Sequence, residues 1–131
     1  MTAYPLASLI TLLVVLLMFL TALNVGRARG VYGIKAPVVS GHEMFERAFR
    51  IQMNTLEGAT VMLPALWLYA LFIGDLGAGA MGAIWLVARV WYAIAYQSDP
   101  AKRSAGFGIA LLAFAGLWAG ALWGVVKVLV H

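Results

Sequence analysis

Apolar residues dominate long stretches of this chain, and polar residues gather in the intervals between them and at one place inside one of them. The apolar runs are long and continuous, and a backbone that crosses hydrocarbon must satisfy its own hydrogen bonds, so helices are predicted throughout. Four spans are expected, from Tyr4 to Val25, Glu43 to Ile73, Ala78 to Tyr96, and Asp99 to Leu129. The second differs from the others, because Glu46, Arg47, Arg50, Asn54 and Glu57 lead straight into the apolar stretch Gly58 to Ile73. That stretch holds about sixteen residues, or about 24 Å of helix against about 30 Å of hydrocarbon, so the span must include part of its polar half. At about 100° per residue, Arg50, Asn54 and Glu57 fall within about 60° of one another, with Glu46 and Arg47 flanking the same stripe. Ionisable groups in a spanning helix are costly unless paired or hydrated, which makes this face the first candidate for function.

The third span carries a second polar face, since Arg89, Tyr92 and Tyr96 also fall within about 60° on a helical wheel. A buried arginine calls for an anionic partner, and the acids inside the spans lie on the second. Arg89 is therefore expected to pair with Glu46 or Glu57, as a structural tie or as part of a site. The fourth span opens with Asp99-Pro100, an N-cap followed by proline at the first helical position. This places Arg103 in the first turn, where guanidinium and helix dipole add at one spot suited to an anion or a thiolate. A loop arginine that only sets topology is the plainer alternative for Arg103.

Composition fixes the class. With 131 residues, 64% hydrophobic and 11% charged, and a mean hydropathy of +0.94, no stretch is polar enough to form a separate soluble domain. The expected fold is an all-α integral membrane protein, a single four-transmembrane-helix bundle over residues 1–131. Cysteine is absent, which excludes disulfides, thiolate metal sites and a cysteine nucleophile, and no metal is expected. The first apolar run lacks a basic n-region, and Arg27 and Arg29 follow it, so it is expected to be a retained helix and not a cleaved signal. Arg27, Arg29 and Lys35 lie between the first two spans, and Lys102 and Arg103 between the last two, whereas Asp75 and Lys127 lie on the other side. The basic loops are thus expected in the cytoplasm and both termini outside it, in a cell or inner membrane. The net charge of +4 is spread without a dense cluster, which argues against nucleic acid and for topology determination and attraction to anionic lipid.

Glycine patterns add packing information. Gly77, Gly79 and Gly82 spell a G-x-G-x-x-G, but no strand precedes them and an apolar helix follows, so a dinucleotide site is rejected. Gly116, Gly120 and Gly124 stand four apart on the fourth span and favour close approach of a neighbouring helix, in line with assembly into an oligomer. Trp118 and Trp123 on that helix read as packing or interfacial anchors, and Pro64 is expected to kink the second span or free a carbonyl.

The polar inventory at one membrane face is thus guanidinium groups, a carboxylate, carboxamides and two phenols. A small ligand with two carboxylates and an amine suits it: Arg50 as a bidentate clamp, Gln52 and Asn54 as amide partners, Glu57 for the ammonium, and the tyrosines for remaining polar atoms. Glutathione has that pattern. At these residues the chain resembles a known family. The stretch Phe45-Glu46-Arg47-Ala48-Phe49-Arg50-Ile51-Gln52-Met53-Asn54-Thr55-Leu56-Glu57 is similar to the signature of the membrane-associated proteins in eicosanoid and glutathione metabolism. Ala88-Arg89, Tyr92, Tyr96 and Arg103 resemble that family's third helix and following loop.

The resemblance implies a four-helix homotrimer with glutathione, a co-substrate, bound between adjacent subunits near the cytoplasmic face. It implies that Arg50, Gln52, Asn54, Glu57, Tyr92 and Tyr96 contact glutathione, that Arg29 joins them, and that Arg103 faces the sulfur from a neighbouring subunit. One departure is Gly58, at a position often aromatic in the leukotriene-forming members, which removes a contact and weakens the case for that substrate. The expected function is activation of the glutathione thiolate for conjugation to a lipophilic electrophile or reduction of a lipid hydroperoxide. A non-enzymatic lipid-binding or adaptor protein on the same scaffold is the alternative, and a small transporter or purely structural bundle a third.

Overall fold

The computed structural model describes residues 3–131. Its helices are α1 (Pro5–Tyr32), α2 (Glu43–Phe72), α3 (Asp75–Ser98) and α4 (Ser104–Leu129), with a short 3-10 turn at Pro100–Lys102. Each of the four is long and apolar enough to cross a membrane, as the hydropathy pattern predicts. Helices α2 and α3 pack against each other and against both α1 and α4, which flank them. Phe45, Met62, Leu66, Leu117 and Val14 are fully buried between them, while Leu12, Val87 and Leu112 point outward. Alanine supplies much of the interior, including Ala7, Ala59, Ala78 and Ala110. Small residues let membrane helices approach closely, and dispersion contacts, not exclusion of water, then hold them.

Three boundaries differ from the expected spans. Helix α1 does not stop at Val25 but continues through the glycine- and arginine-rich segment to Tyr32. Arg27 bonds back to Asn24 within the helix, and termination falls to Gly33, whose left-handed backbone (φ 69°) turns the chain so that the Ile34 N–H also reaches the Arg29 carbonyl, at 3.1 Å. Helix α3 begins at Asp75, three residues before Ala78. Asp99 and Pro100 do start a helical turn, with Asp99 Oδ1 accepting from Ala101 N at 3.0 Å, but that turn is the 3-10 segment. Helix α4 proper starts at Ser104, so Arg103 sits at its N-cap position and not inside its first turn.

The glycine ridge of α4 also has a different role from the one expected. A Cβ on Gly116 would stand 2.9 Å from Met81 Sδ, and Gly120 and Gly124 are closed over by Tyr69 and by Phe72 and Ile73. The ridge is filled from within the chain by α2 and α3 and supplies no separate argument for oligomers. Gly77, Gly79 and Gly82 lie in the first turns of α3 and receive Tyr69, Leu6 and Ile10. The closest approach to neighbouring backbone is at Gly106, where a Cβ would come within 2.8 Å of the Ala88 carbonyl and the Tyr92 amide. There α4 lies backbone to backbone on α3, directly behind Tyr92. Pro64 is accommodated within a continuous α2.

Asp75 ties the opposite end of the bundle. Its two carboxylate oxygens accept from Leu6 N and Ala7 N, each at 2.9 Å, so that the first residue of α3 caps α1. The charge also stands at the positive end of the α1 dipole. Asp75→Ala is expected to lower stability by about 1–2 kcal/mol, measured by unfolding in mixed micelles, with increased amide exchange confined to the first turn of α1. Uniform exchange across the chain would contradict a local cap.

Candidate functional site

Helix packing brings one residue of the α2 polar stripe, Asn54, onto the α3 face that carries Arg89, Tyr92 and Tyr96. The join is Arg89, 3% exposed, whose Nη2 donates to Asn54 Oδ1 at 2.9 Å and to Thr55 Oγ1 at 3.4 Å. The expected pairing of Arg89 with Glu46 or Glu57 is not formed. Among the described residues the one ion pair is Arg47–Glu43 at 2.6 Å, and Glu46 instead accepts from the Gly41 amide. A neutral carboxamide suffices here because aromatic faces share the charge: the Arg89 guanidinium lies 4.3 Å from the Tyr92 ring centre and 5.8 Å from that of Trp85.

From Arg89 a row continues toward the basic loops. The Tyr92 and Tyr96 rings are 5.7 Å apart, and the Arg103 guanidinium stands 5.7 Å from the Tyr96 ring. Arg103 Nη1 donates to the Pro100 carbonyl at 3.0 Å. Asn54, Arg89, Tyr92, Tyr96 and Arg103 therefore form a continuous line of contacts, with Phe107 of α4 against Tyr92 at 6.3 Å. Beside the start of this row lies a cavity of about 240 Å³ lined by Asn54, Glu57, Gly58, Trp85, Arg89 and Phe107 with further apolar residues of α2 and α4.

A sequence model of the MAPEG family matches residues 7–123. The chain belongs to the MAPEG family. It is 41% identical over 119 residues, 91% of this chain and 87% of the relative, to an uncharacterized protein of Synechocystis sp.. It is 33% identical over 90 residues to the human microsomal glutathione S-transferase 2, covering 69% of this chain and 61% of that protein. With the rat leukotriene C4 synthase it shares 35% identity over 94 residues, 72% of this chain and 63% of the enzyme. This chain thus spans about three fifths of the length of these two relatives.

In this MAPEG chain the remaining expected site residues are dispersed. Glu57, like Arg50, is exposed on α2. Arg50 lines a second depression, of about 380 Å³, with Glu46, Phe49, Met53, Val39 and Ser40. Gln52 is half-buried on α2. Arg50, Gln52 and Glu57 make no side-chain hydrogen bond to any described residue, so their polar groups stand free. Arg29 is engaged elsewhere: Nη1 donates to the Val38 carbonyl at 2.7 Å and the Ile34 carbonyl at 3.3 Å, and the guanidinium lies 4.9 Å from the Phe45 ring centre. The structure does not join it to the row.

The least legible contributor is Arg47. Its Nη1 donates to the Gln97 and Ser98 carbonyls, both at 3.0 Å, and so caps the C-terminus of α3 from α2. Gln97 Nε2 returns a bond to the Met44 carbonyl at 3.2 Å. These contacts hold the segment that presents Tyr96 and Arg103. The polar stripe flags Arg47 in the sequence, but nothing there shows that it reaches a carbonyl about fifty residues away. Trp85, Thr55 and Phe107, which wall the cavity or finish the Arg89 network, look like ordinary core residues in the sequence.

Proposed function

We propose that this protein is a glutathione-dependent membrane enzyme that holds glutathione on the polar faces of α2 and α3 and ionises its thiol near Arg103. The observation that carries this reading is the uninterrupted row Asn54–Arg89–Tyr92–Tyr96–Arg103, beside a cavity that Asn54, Arg89 and the exposed Glu57 line. Arg50, Gln52, Asn54, Glu57, Tyr92 and Tyr96 bind the peptide, with Arg29 a further contact from the end of α1. Arg103 stabilises the thiolate, aided by the N-terminus of α4 beside it. The relatives, a microsomal glutathione S-transferase 2 and a leukotriene C4 synthase, agree with this chemistry. The thiolate then attacks a carbon of a lipophilic electrophile, forming a thioether as a leaving group departs with its electron pair or, at a conjugated double bond, as the electron pair moves into the acceptor group and is protonated. Alternatively it attacks the terminal oxygen of a lipid hydroperoxide, breaking the O–O bond to give the alcohol and a glutathione sulfenic acid, from which a second glutathione thiol displaces water to form the disulfide.

A single chain divides the free groups between two depressions and leaves Arg50 and Glu57 exposed on a spanning helix. Charges at that depth need cover, and a homotrimer with each glutathione between adjacent subunits supplies it. The protein is a multi-pass membrane protein, and we place its basic loops and site at the cytoplasmic face, its termini outside, by the distribution of Lys and Arg. Purified protein is expected to bind glutathione at millimolar or lower concentration and to crosslink as a trimer in native lipid. No binding at millimolar ligand would leave the lipid-binding adaptor as the better account, and full activity in a monomer would contradict a shared site.

A further inference from the structure

Arg89 has more donors than this chain uses. Nη2 serves Asn54 and Thr55, Nε is buried without an acceptor, and Nη1 makes no hydrogen bond to any described residue. A guanidinium offers five N–H donors, and leaving a buried cation's donors unmet is costly. Nη1 is near Gly58: a Cβ there would stand 3.9 Å from Nη1, 3.8 Å from Cζ and 3.3 Å from the Trp85 ring. Gly58 lies in the middle of α2 with helical backbone, so no turn or unusual φ calls for glycine. What the missing side chain does is leave the guanidinium open to the cavity of about 240 Å³.

That cavity is otherwise walled by Val61, Trp85, Phe107, Leu111 and Phe114. Val61 also lines the next groove, about 300 Å³ between α2 and α4, whose walls are Pro64, Leu68, Trp118, Leu122 and neighbouring apolar residues. Apolar side chains of α2 and α4 thus extend, with Val61 common to both, from that groove to the cavity beside the unsatisfied Arg89 donors. The first cavity is smaller than the roughly 300 Å³ at which whole-ligand sites begin, so it suits the functional end of a molecule whose tail lies along the groove. Glu57 on its rim disfavours an anion but not a neutral oxygen.

We propose that Arg89, reached across Gly58, holds the acceptor oxygen of the lipophilic second substrate. The site selects long-chain molecules bearing a neutral acceptor oxygen, such as enones and hydroperoxides, over halides of equal apolarity. This rests on the reading of the protein as an enzyme with a lipophilic second substrate, and its selectivity is measured without glutathione. The test compares binding of a long-chain alkyl ketone and an alkyl chloride of matching length to the purified protein in micelles, each corrected for partition. The ketone is expected to bind about tenfold or more tightly. Gly58→Ala, which covers Nη1, should abolish that preference while chloride and glutathione binding persist. Arg89→Lys, which keeps the charge but loses the planar donor set, should abolish it too.

Equal affinities in the unaltered protein, or a preference that survives Gly58→Ala, would overturn the assignment. Loss of both ligands together in Gly58→Ala would also overturn it, since that variant would only have filled space. Ketone preference without any glutathione binding would support the oxygen-selecting site while refuting the glutathione enzyme, so the two failures are separable.

Discussion

Arg103→Ala is expected to leave glutathione bound but largely protonated, lowering turnover at pH 7 by at least about 25-fold. A free thiol with a pKa of about 8.5 is only a few per cent ionised at pH 7. Lowering it by about two units takes about 2.7 kcal/mol of differential stabilisation and makes most of it thiolate. A guanidinium beside a helix N-terminus can provide that within a low-dielectric site. The structure explains why the substitution should act on chemistry more than on shape. Arg103 makes a single side-chain bond, to the Pro100 carbonyl of its own turn, while Asp99 caps that turn and Arg47 clamps the end of α3 before it. The sign of the pH effect follows: a depressed thiol pKa gives a rate advantage at every pH below the ordinary value, greatest at low pH, so the variant should recover as pH rises past about 8.5. Ultraviolet absorbance of the thiolate against pH, with glutathione affinity measured in parallel, is the check. Unchanged ionisation would move the activating role to another group.

Asn54→Leu is expected to destabilise the bundle by about 3–5 kcal/mol, because it removes the nearest acceptor of a buried guanidinium and puts nothing polar in its place. Thr55 Oγ1 at 3.4 Å is too distant to compensate. The same argument predicts recovery: adding Arg89→Met to Asn54→Leu removes the stranded charge, and the double variant should regain most of the lost stability. Unfolding of all four proteins in mixed micelles gives the coupling directly. A cost below about 1 kcal/mol for Asn54→Leu alone would mean that Arg89 turns to a carboxylate, with Glu57 the nearest candidate in the cavity they share. That outcome would restore the pairing expected from the sequence.

The chain's class and its spans were legible because bilayer thickness and backbone hydrogen bonding leave few alternatives to long apolar helices. The Arg50, Asn54, Glu57 stripe and the Arg89, Tyr92, Tyr96 stripe were equally legible, since helical periodicity is a local property. The end of α1 was misplaced for a local reason too. Gly26, Arg27 and Arg29 resemble a loop, but intrahelical bonding continues until Gly33, where the backbone turns left-handed. Similarly, Asp99-Pro100 correctly signalled a start but not whether the turn it starts is the long helix or a short 3-10 prelude.

By itself the sequence determined four membrane helices, a polar stripe on each of α2 and α3, the family signature and the arginine that follows α3. Only the tertiary structure decided that Arg89 turns to Asn54 and not to an acid, that the α4 glycines are filled from inside the chain, that Arg47 caps α3, and that Gly58 opens a path to a buried donor. The physical reason is one of range. Periodicity and hydropathy act within a helix and are written in neighbouring residues, whereas the partner of a side chain depends on the rotation and height of one helix against another, which the packing of the whole bundle sets.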